Sequence, residues 1–264
     1  MKSATFLILS LGLAVLSSCR SLEVQTDGQA RQQIGTSVEG MPIYAWLYQL
    51  DENDQLLTSV PRPRADFDGE TLLLFGVIHG DEPLGMPLLE RLGDLLHEHP
   101  ELVKGKRIVL VPLLNPDGYR LGLRVNTRGV DLNRNFPSTS WKRLGHRHGT
   151  APASEPETRA LMDLVNTYRP DRILSVHAPL HCVNYDGPAA GLARKLSDVS
   201  EYPVKPHIGY PTPGSFGSWA GIDREIPVIT LELREDLKRS EVWDELGQAM
   251  VEFVKYEGAD QAAK

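Results

Sequence analysis

Short apolar runs alternate with amphipathic stretches through most of the chain after Met41. Such runs are typical of buried strands, and apolar positions three and four residues apart are typical of helices that pack on one face. The pattern predicts strands at residues 42–50, 71–78, 106–114, 172–176 and 227–233, and helices at 84–97, 154–168, 189–200 and 240–256. Strands that alternate with helices over this length indicate one α/β domain with a largely parallel or mixed sheet.

The predicted helix at 154–168 has a local start signal. Ser154, Glu155, Pro156 and Glu157 have the form of a capping box with a proline inside the first turn. In a capping box the first side chain binds the backbone of the first turn, where proline is tolerated because its missing N–H has no helical partner. We therefore expect a capping box to open this helix.

Polar side chains stand where four of the predicted strands end. They are His79, Asn115, His177 and Glu232. Ligands of open α/β sheets bind outside the carboxyl ends of the strands. The four strand ends therefore predict one site at one rim of the sheet.

His79 and Glu82 lie three residues apart after a buried strand, so that a tight turn lets both reach one cation. Zinc favours nitrogen and oxygen ligands, and a catalytic zinc needs three protein ligands and an open position for water. His177 is the natural third ligand. A lone histidine is more often a satisfied core side chain, and one H-x-x-E pattern arises readily by chance. These residues alone therefore do not decide whether the chain has a metal site.

Residues 129–137 read Gly-Val-Asp-Leu-Asn-Arg-Asn-Phe-Pro. Together with the H-x-x-E pattern, the distant histidine and the late glutamate, this segment resembles the zinc carboxypeptidase family. The resemblance extends from about Gly35 to the final helix, and it implies a three-layer α/β/α domain at 35–264 with a mixed, largely parallel central sheet. It also implies that His79, Glu82 and His177 hold one zinc ion per chain.

The resemblance further implies two catalytic residues. Glu232 matches the carboxylate that takes a proton from water and passes it to the leaving amine, which is general base and then general acid chemistry. Arg124 matches the side chain that polarises the scissile carbonyl and stabilises the developing oxyanion. From the residues alone, Glu232 could instead be a salt-bridged acid at a strand end.

Four more residues match positions that bind the substrate in this family. Asn133 and Arg134 match the pair that binds its free carboxylate, and Tyr210 matches a mobile tyrosine that closes over it. Ser215 lies in the segment 211–218, where the family shapes its specificity pocket. The planar guanidinium of Arg134 suits bidentate binding of a carboxylate, although a surface ion pair is the alternative interpretation.

Residues 34–43, 175–180 and 209–219 are similar to the branch of the family that cleaves the γ-D-glutamyl–meso-diaminopimelate amide bond of peptidoglycan peptides. The similarity implies a zinc metallopeptidase of cell-wall remodelling or recycling, with a wall peptide as its partner. We expect a monomer, although the sequence does not give the oligomeric state. Two other functions stay open: an aspartoacylase-like deacylase of N-acyl amino acids, and a non-catalytic lipoprotein that binds wall peptides. The sequence does not distinguish a free tripeptide from a tetrapeptide or polymeric wall.

Residues 1–19 have the pattern of a signal peptide, with Lys2, an apolar run and then small residues. Their ending, Leu-Ser-Ser-Cys, resembles the bacterial lipoprotein box, which implies a lipid on Cys19. We expect a lipoprotein signal at 1–19, a tether at 20–34 and lipid anchoring in the periplasm of the cell envelope. Arg20 favours the outer membrane, because a signal for retention in the inner membrane often has Asp at the position after the cysteine. An uncleaved anchor and an ordinary cleaved signal are the alternatives.

Composition narrows the possible partners. The 264 residues include 28 Lys and Arg against 35 Asp and Glu, a net charge of −7, so no basic surplus exists to bind nucleic acid.

Two cysteines are too few for a disulfide scaffold, and Cys182 is expected to be a buried apolar side chain. His146 and His148 could form a second metal site, but a polar loop at the rim of the cleft is the favoured interpretation.

Overall fold

Strands and helices alternate along the chain. The computed structural model describes residues 30–57 and 67–257. The strands within them are β1 (Ala30–Thr36), β2 (Pro42–Gln49), β3 (Glu70–Phe75), β4 (Lys106–Val111), β5 (Arg172–His177), β6 (Leu180–Asp186), β7 (Val204–Lys205) and β8 (Val228–Arg234). The α-helices are α1 (Gly85–Glu98), α2 (Pro116–Leu121), α3 (Pro156–Tyr168), α4 (Ala190–Ser200) and α5 (Val242–Lys255). All of the predicted strands and helices are present, with ends shifted by a few residues.

The strands form one mixed sheet in the order β1-β2-β4-β3-β5-β8-β6-β7. The central strands β4, β3, β5 and β8 pair in parallel. At one side β1 and β2 are antiparallel to their neighbours, and at the other β6 is antiparallel to β8. The prediction of a mixed, largely parallel sheet is therefore confirmed.

Helices cover both faces of the sheet, because the central strands are apolar on both sides. Leu72 and Leu74 of β3 pack in the cluster that includes the apolar faces of α1, α4 and α5. Leu73 and Phe75 of the same strand pack in a second cluster with α3. Alternate residues of a strand point to opposite faces. The fold is thus the expected three-layer α/β/α arrangement.

The predicted tether at 20–34 extends too far toward the domain, since residues 30–34 belong to β1. This strand pairs antiparallel with β2, and the Arg31 guanidinium lies over the ring of Trp46 at 4.5 Å. An edge strand is held by backbone hydrogen bonds and keeps polar side chains, so its composition resembled that of a linker. The predicted signal peptide at 1–19 and the rest of the tether lie outside the described residues.

The predicted capping box at the start of α3 does not form. Glu155 is the N-cap residue, and its side chain makes no capping hydrogen bond. The Ser154 hydroxyl donates to the carboxylate of Glu155 instead, while Glu157 accepts from the backbone N–H of Val38 at 3.0 Å. The acidic side chains of this turn therefore bind neighbouring loops rather than the helix end, although Pro156 does occupy the first turn.

Within the described ranges, no helix combines the length and the apolar character that crossing a membrane requires.

Arg172 joins the sheet to the end of the last helix. Its side chain is 1% exposed and donates to the carbonyls of Phe253 and Val254, at 3.1 and 3.2 Å, and to the carboxylate of Glu70. The last carbonyls of a helix have no partner within the helix. One guanidinium therefore satisfies the end of α5 and a carboxylate at the start of β3.

Replacing Arg172 should be costly, because it removes a buried guanidinium that donates to two helix-end carbonyls and to the Glu70 carboxylate. We expect Arg172→Met to lower the free energy of unfolding by about 3 kcal/mol, measured by urea denaturation. Arg239→Met is the matched control, since Arg239 is exposed and makes a loose pair with Glu90 at 3.7 Å; its cost should stay below about 1 kcal/mol. Equal costs for the two variants would contradict this account of Arg172.

Candidate active site

Three parallel strands bring the predicted ligands and Glu232 to one edge of the sheet. His177 is the last residue of β5 and lies directly opposite Glu232 of β8 in the parallel register. His79 follows β3, which is the other neighbour of β5. Because all three strands run in the same direction, their carboxyl ends place these side chains around one point.

His79, Glu82 and His177 form a buried group with the geometry of a metal site. One carboxylate oxygen of Glu82 lies 2.9 Å from Nδ1 of His79, and the other lies 2.9 Å from Nδ1 of His177. Their potential ligand atoms all lie within 4.8 Å of one another, and among the described residues no other such group of His, Cys, Asp or Glu occurs. Two imidazole nitrogens and one carboxylate are a donor set that fits catalytic zinc.

Asp131 contacts the ring nitrogen of His79 that does not face Glu82. One of its carboxylate oxygens lies 3.0 Å from Nε2 of His79, and the other accepts from Nε of Arg124 at 3.2 Å. A histidine ligand commonly donates its second ring N–H to a carboxylate, which fixes the ring for the metal. Asp131 begins the D-x-N-R-N segment, but its role depends on tertiary contacts that the sequence does not reveal.

The charged side chains of this group stabilise one another's ionised forms. Burial alone would lower the pKa of His79, but the carboxylates of Glu82 and Asp131 outweigh it and raise the pKa to about 9. Burial alone would raise the pKa of Glu82, but the two histidines hold it well below its usual range. The pKa of Asp131 is likewise low, since His79 and Arg124 outweigh its burial. Both carboxylates therefore stay ionised at neutral pH.

Arg124 lies between the metal site and open solvent. Its Nη1 donates to Glu82 at 2.8 Å, and about a third of its side chain is exposed to the cleft. Burial by itself lowers the pKa of Arg124, but Asp131 and Glu82 outweigh it and raise the pKa. The guanidinium is therefore a fixed positive charge in the cleft beside the predicted metal ligands.

The predicted substrate-binding residues line the same cleft, which encloses about 160 Å³. The side-chain oxygen of Asn133 accepts from the backbone N–H of Phe216 at 2.8 Å, and Arg134 donates to the carbonyl of Asn133 at 2.6 Å. Ser215 is buried in the adjacent wall, whereas Tyr210 is half exposed at the mouth. The structure therefore brings together all four residues that the sequence analysis assigned to substrate binding.

Glu232 is a buried carboxylate that faces the cleft. It is 7% exposed and accepts a long hydrogen bond from the backbone N–H of Leu180 at 3.4 Å. No ion pair to it occurs within the described part of the chain. The salt-bridged strand-end acid that the sequence left open is thus not what the structure contains, and the carboxylate is available for proton transfer.

The fourth polar strand end does not reach the cleft. The Asn115 side chain caps α2 by accepting from the N–H of Gly118 at 2.9 Å, and it donates to the carbonyl of Ile78 at 3.2 Å. Its side chain is fully buried, and Asn115 is absent from the residues that line the cleft. The prediction of four converging strand ends is therefore wrong for Asn115, whose side chain satisfies a helix start.

His146, His148 and Cys182 do not line the cleft. His146 and His148 lie in a short helical turn, and the His146 ring hydrogen-bonds to the carbonyl of Arg128 at 2.7 Å. This turn is outside the cleft lining, and the described residues hold no metal-binding group there. Cys182 is fully buried, as predicted, and burial raises the pKa of its thiol to about 11, so the thiol is protonated at neutral pH.

Asp131→Asn tests the role of the carboxylate behind His79. The amide keeps the size of the side chain but removes the charge that orients the ring, so zinc affinity should fall about 10–100-fold. Competition with a fluorescent zinc chelator measures this affinity. Asp163→Asn, at an exposed position of α3, is the control and should bind zinc normally. An unchanged affinity in Asp131→Asn would exclude the positioning role.

Comparisons with known proteins agree with this geometry. The family described as zinc carboxypeptidase matches residues 17–203 of the chain. Murein peptide amidase A of Escherichia coli (strain K12) is 38% identical over 187 residues, which cover 65% of this chain and 74% of the relative. The protein of the same name from Vibrio campbellii is 32% identical over 215 residues, covering 75% of this chain and 77% of that one.

Solved structures share the fold. A murein-tripeptide amidase from Escherichia coli O157 aligns with a TM-score of 0.67 and 28% identity, covering 87% of this chain and 93% of the other. A carboxypeptidase A from Helicoverpa armigera aligns with a TM-score of 0.72 at 17% identity, covering 89% of this chain and 69% of the other, and this likeness concerns the fold alone. From the matched residues and the buried ligand set it follows that the chain belongs to the zinc carboxypeptidase family, as a hydrolase with one zinc ion.

Proposed function

We propose that this chain hydrolyses the γ-D-glutamyl–meso-diaminopimelate amide bond of peptidoglycan peptides, in cell-wall remodelling or recycling. One observation carries the proposal: a zinc ligand set, a carboxylate without an ion pair and an arginine for a free carboxylate line a single cleft. Relatives named murein peptide amidase, at 38% and 32% identity, support the wall peptide as the substrate. Because one chain supplies all of these residues, we propose that it acts as a monomer.

The position of the substrate follows from the charges of the cleft. A tripeptide that ends in diaminopimelate has a free carboxylate beside the amide bond to be cleaved. Arg134 offers two parallel N–H donors to such a carboxylate, and Asn133 adds an amide next to it. With the carboxylate held there, the scissile carbonyl lies toward His79 and Arg124.

The reaction needs a water, a base and a stabiliser of negative charge. When bound, zinc supplies Lewis-acid activation of the water and of the scissile carbonyl. Glu232 takes a proton from the water as its oxygen attacks the carbonyl carbon, and returns that proton to the amine nitrogen as the carbon–nitrogen bond breaks. Arg124 stabilises the negative charge that develops on the carbonyl oxygen. The products are the dipeptide carboxylic acid and free diaminopimelate.

Glu232→Gln should remove proton transfer while keeping the shape of the site. We expect kcat for release of diaminopimelate from L-Ala-γ-D-Glu-meso-diaminopimelate to fall at least about 100-fold, measured by mass spectrometry of the products. Zinc content should stay at one per chain. Glu52→Gln is the matched control, because Glu52 lies in an exposed turn. Full activity of Glu232→Gln would refute the role of this residue.

The same assay distinguishes the other two functions. Removal of zinc by a chelator should abolish hydrolysis, and added zinc should restore it. Cleavage of N-acyl amino acids without cleavage of the tripeptide would indicate an aspartoacylase-like deacylase. Binding of peptidoglycan fragments by a protein that contains no zinc and hydrolyses neither substrate would indicate a non-catalytic wall-binding protein.

We further propose that the chain is exported and lipid-anchored in the periplasm, with the outer membrane favoured. The support is the signal-like sequence of residues 1–19 and the Leu-Ser-Ser-Cys ending at Cys19, which lies outside the described residues. A single acyl chain binds membranes weakly, so stable anchoring would need more than one.

Cys19→Ser tests the lipid anchor. If Cys19 carries the lipid, the variant should lose incorporation of a labelled fatty acid and should migrate as the unprocessed precursor. Cys182→Ser is the control, because Cys182 is buried within the domain and should leave labelling unchanged. Metabolic labelling followed by membrane fractionation provides both readouts. Normal processing and labelling of Cys19→Ser would exclude the anchor.

A further inference from the structure

Residues 126–130 form a closed turn between Arg124 and Asp131. The backbone N–H of Asn126 donates to the carbonyl of Val130 at 3.0 Å, which closes the turn. Arg124 and Asp131 flank it, and their side chains meet across it, with Nε of the arginine 3.2 Å from a carboxylate oxygen of the aspartate. The shape of the turn therefore sets where these two side chains lie relative to the metal site.

The Asn126 side chain holds this turn from inside the domain. It is 1% exposed, and its oxygen accepts from the backbone N–H groups of Arg128 and Val130, both at 3.1 Å. Its amide nitrogen donates to Glu155 at 2.8 Å and to Glu157 at 3.3 Å. One polar atom therefore binds within the turn, and the other joins the turn to the start of α3.

The two glutamates of this bridge are an unfavourable pair of buried charges. Both are almost fully buried, and burial together with the charge of Glu155 raises the pKa of Glu157. Arg128 pairs with Glu155 only loosely, at 3.6 Å, and is itself exposed. Well-packed apolar side chains in place of buried charges are often as stable or more stable. What the carboxylates supply instead is two acceptors for one amide, which fixes the orientation of the turn.

The start of α3 also supports the segment that is predicted to bind the substrate. The backbone N–H of Glu155 donates to the side-chain oxygen of Asn135 at 3.1 Å, and Asn135 directly follows Arg134. This hydrogen bond uses the backbone of Glu155, so it does not depend on the Asn126 side chain. Loss of the bridge should therefore disturb Arg124 while leaving Arg134 in place.

We infer that Asn126 is a positioning residue, whose bridge to Glu155 and Glu157 holds Arg124 and Asp131 beside the metal ligands. Asn126 itself does not line the cleft. It acts through Asp131 on the orientation of the zinc-binding histidine, and through Arg124 on the charge that stabilises the oxyanion. The effect on catalysis rests on the proposed function, whereas the effect on zinc binding does not.

Asn126→Asp breaks the bridge with a side chain of the same size. The new carboxylate still accepts from the backbone of the turn, but it places a third negative charge against the two glutamates. Zinc affinity should fall about 10-fold, measured by competition with a fluorescent chelator. With zinc saturating, kcat for L-Ala-γ-D-Glu-meso-diaminopimelate should fall about 100-fold, because a misplacement of about 1 Å costs that much. KM should stay near the wild-type value.

A triple variant, Asn126→Asp with Glu155→Gln and Glu157→Gln, rebuilds the bridge with donors and acceptors exchanged. The two new amides donate to the new carboxylate, and their oxygens still accept from Ser154 and the backbone of Val38. Zinc affinity and kcat should return to near the wild-type values. Asn126→Ala removes the same contacts without adding a charge, so it tests the same losses if the aspartate variant does not fold.

Arg172→Met is the control for loss of stability alone. Arg172 lies at the opposite end of β5 from His177, so this variant should be less stable in urea while keeping its zinc affinity and kcat. The unfolding curves of the Asn126 variants are measured beside it.

The outcomes separate a positioning role from a structural one. Unchanged zinc affinity and kcat in Asn126→Asp or Asn126→Ala would refute the role of Asn126. The role is also refuted if the folded triple variant stays as impaired as the single variant, or if Arg172→Met loses as much. If the zinc-loaded wild-type protein does not cleave the tripeptide, the proposed function fails, while the zinc affinities still decide the role of Asn126.

Discussion

The parallel register between β5 and β8 is the constraint on which the site depends. It sets His177 and Glu232 side by side, and pairing of β5 with β3 brings His79 to the same edge. Successive side chains of a strand point to opposite faces, so a slip of one residue would send either side chain to the other face of the sheet. The buried apolar residues on both faces, described above, resist such a slip. The core thereby determines the geometry of the catalytic residues.

The buried charges behind the site balance in a way that suits hydrolysis. A histidine that binds zinc is neutral, so in the zinc-bound site the carboxylates of Glu82 and Asp131 exceed the guanidinium of Arg124 by one negative charge before the metal is counted. Addition of a divalent cation leaves one positive charge in a region from which water is largely excluded. Fixed positive charge in such a region is most valuable where an oxyanion develops. Asp131 contributes to this balance although it does not line the cleft.

The sequence predicted the alternating strands and helices because apolar runs identify buried strands. The H-x-x-E pattern alone did not decide the metal site, and the ligand set, with the distant His177, followed from the resemblance to the zinc carboxypeptidase family. What it did not predict depends on tertiary structure. β1 and β6 escaped notice because polar residues interrupt them, and Asp131 gains its role only when folding brings it behind His79.

The position of β1 has a mechanical consequence. β1 lies at one edge of the sheet, and β6 is six strand spacings away, or about 29 Å. The chain reaches the domain through β1, so tension applied from the residues before Ala30 acts first on the hydrogen bonds between β1 and β2. The parallel strands that carry the catalytic side chains lie beyond β2 and β4. A pull on the amino-terminal segment would therefore peel the edge of the sheet before it distorts the chemistry.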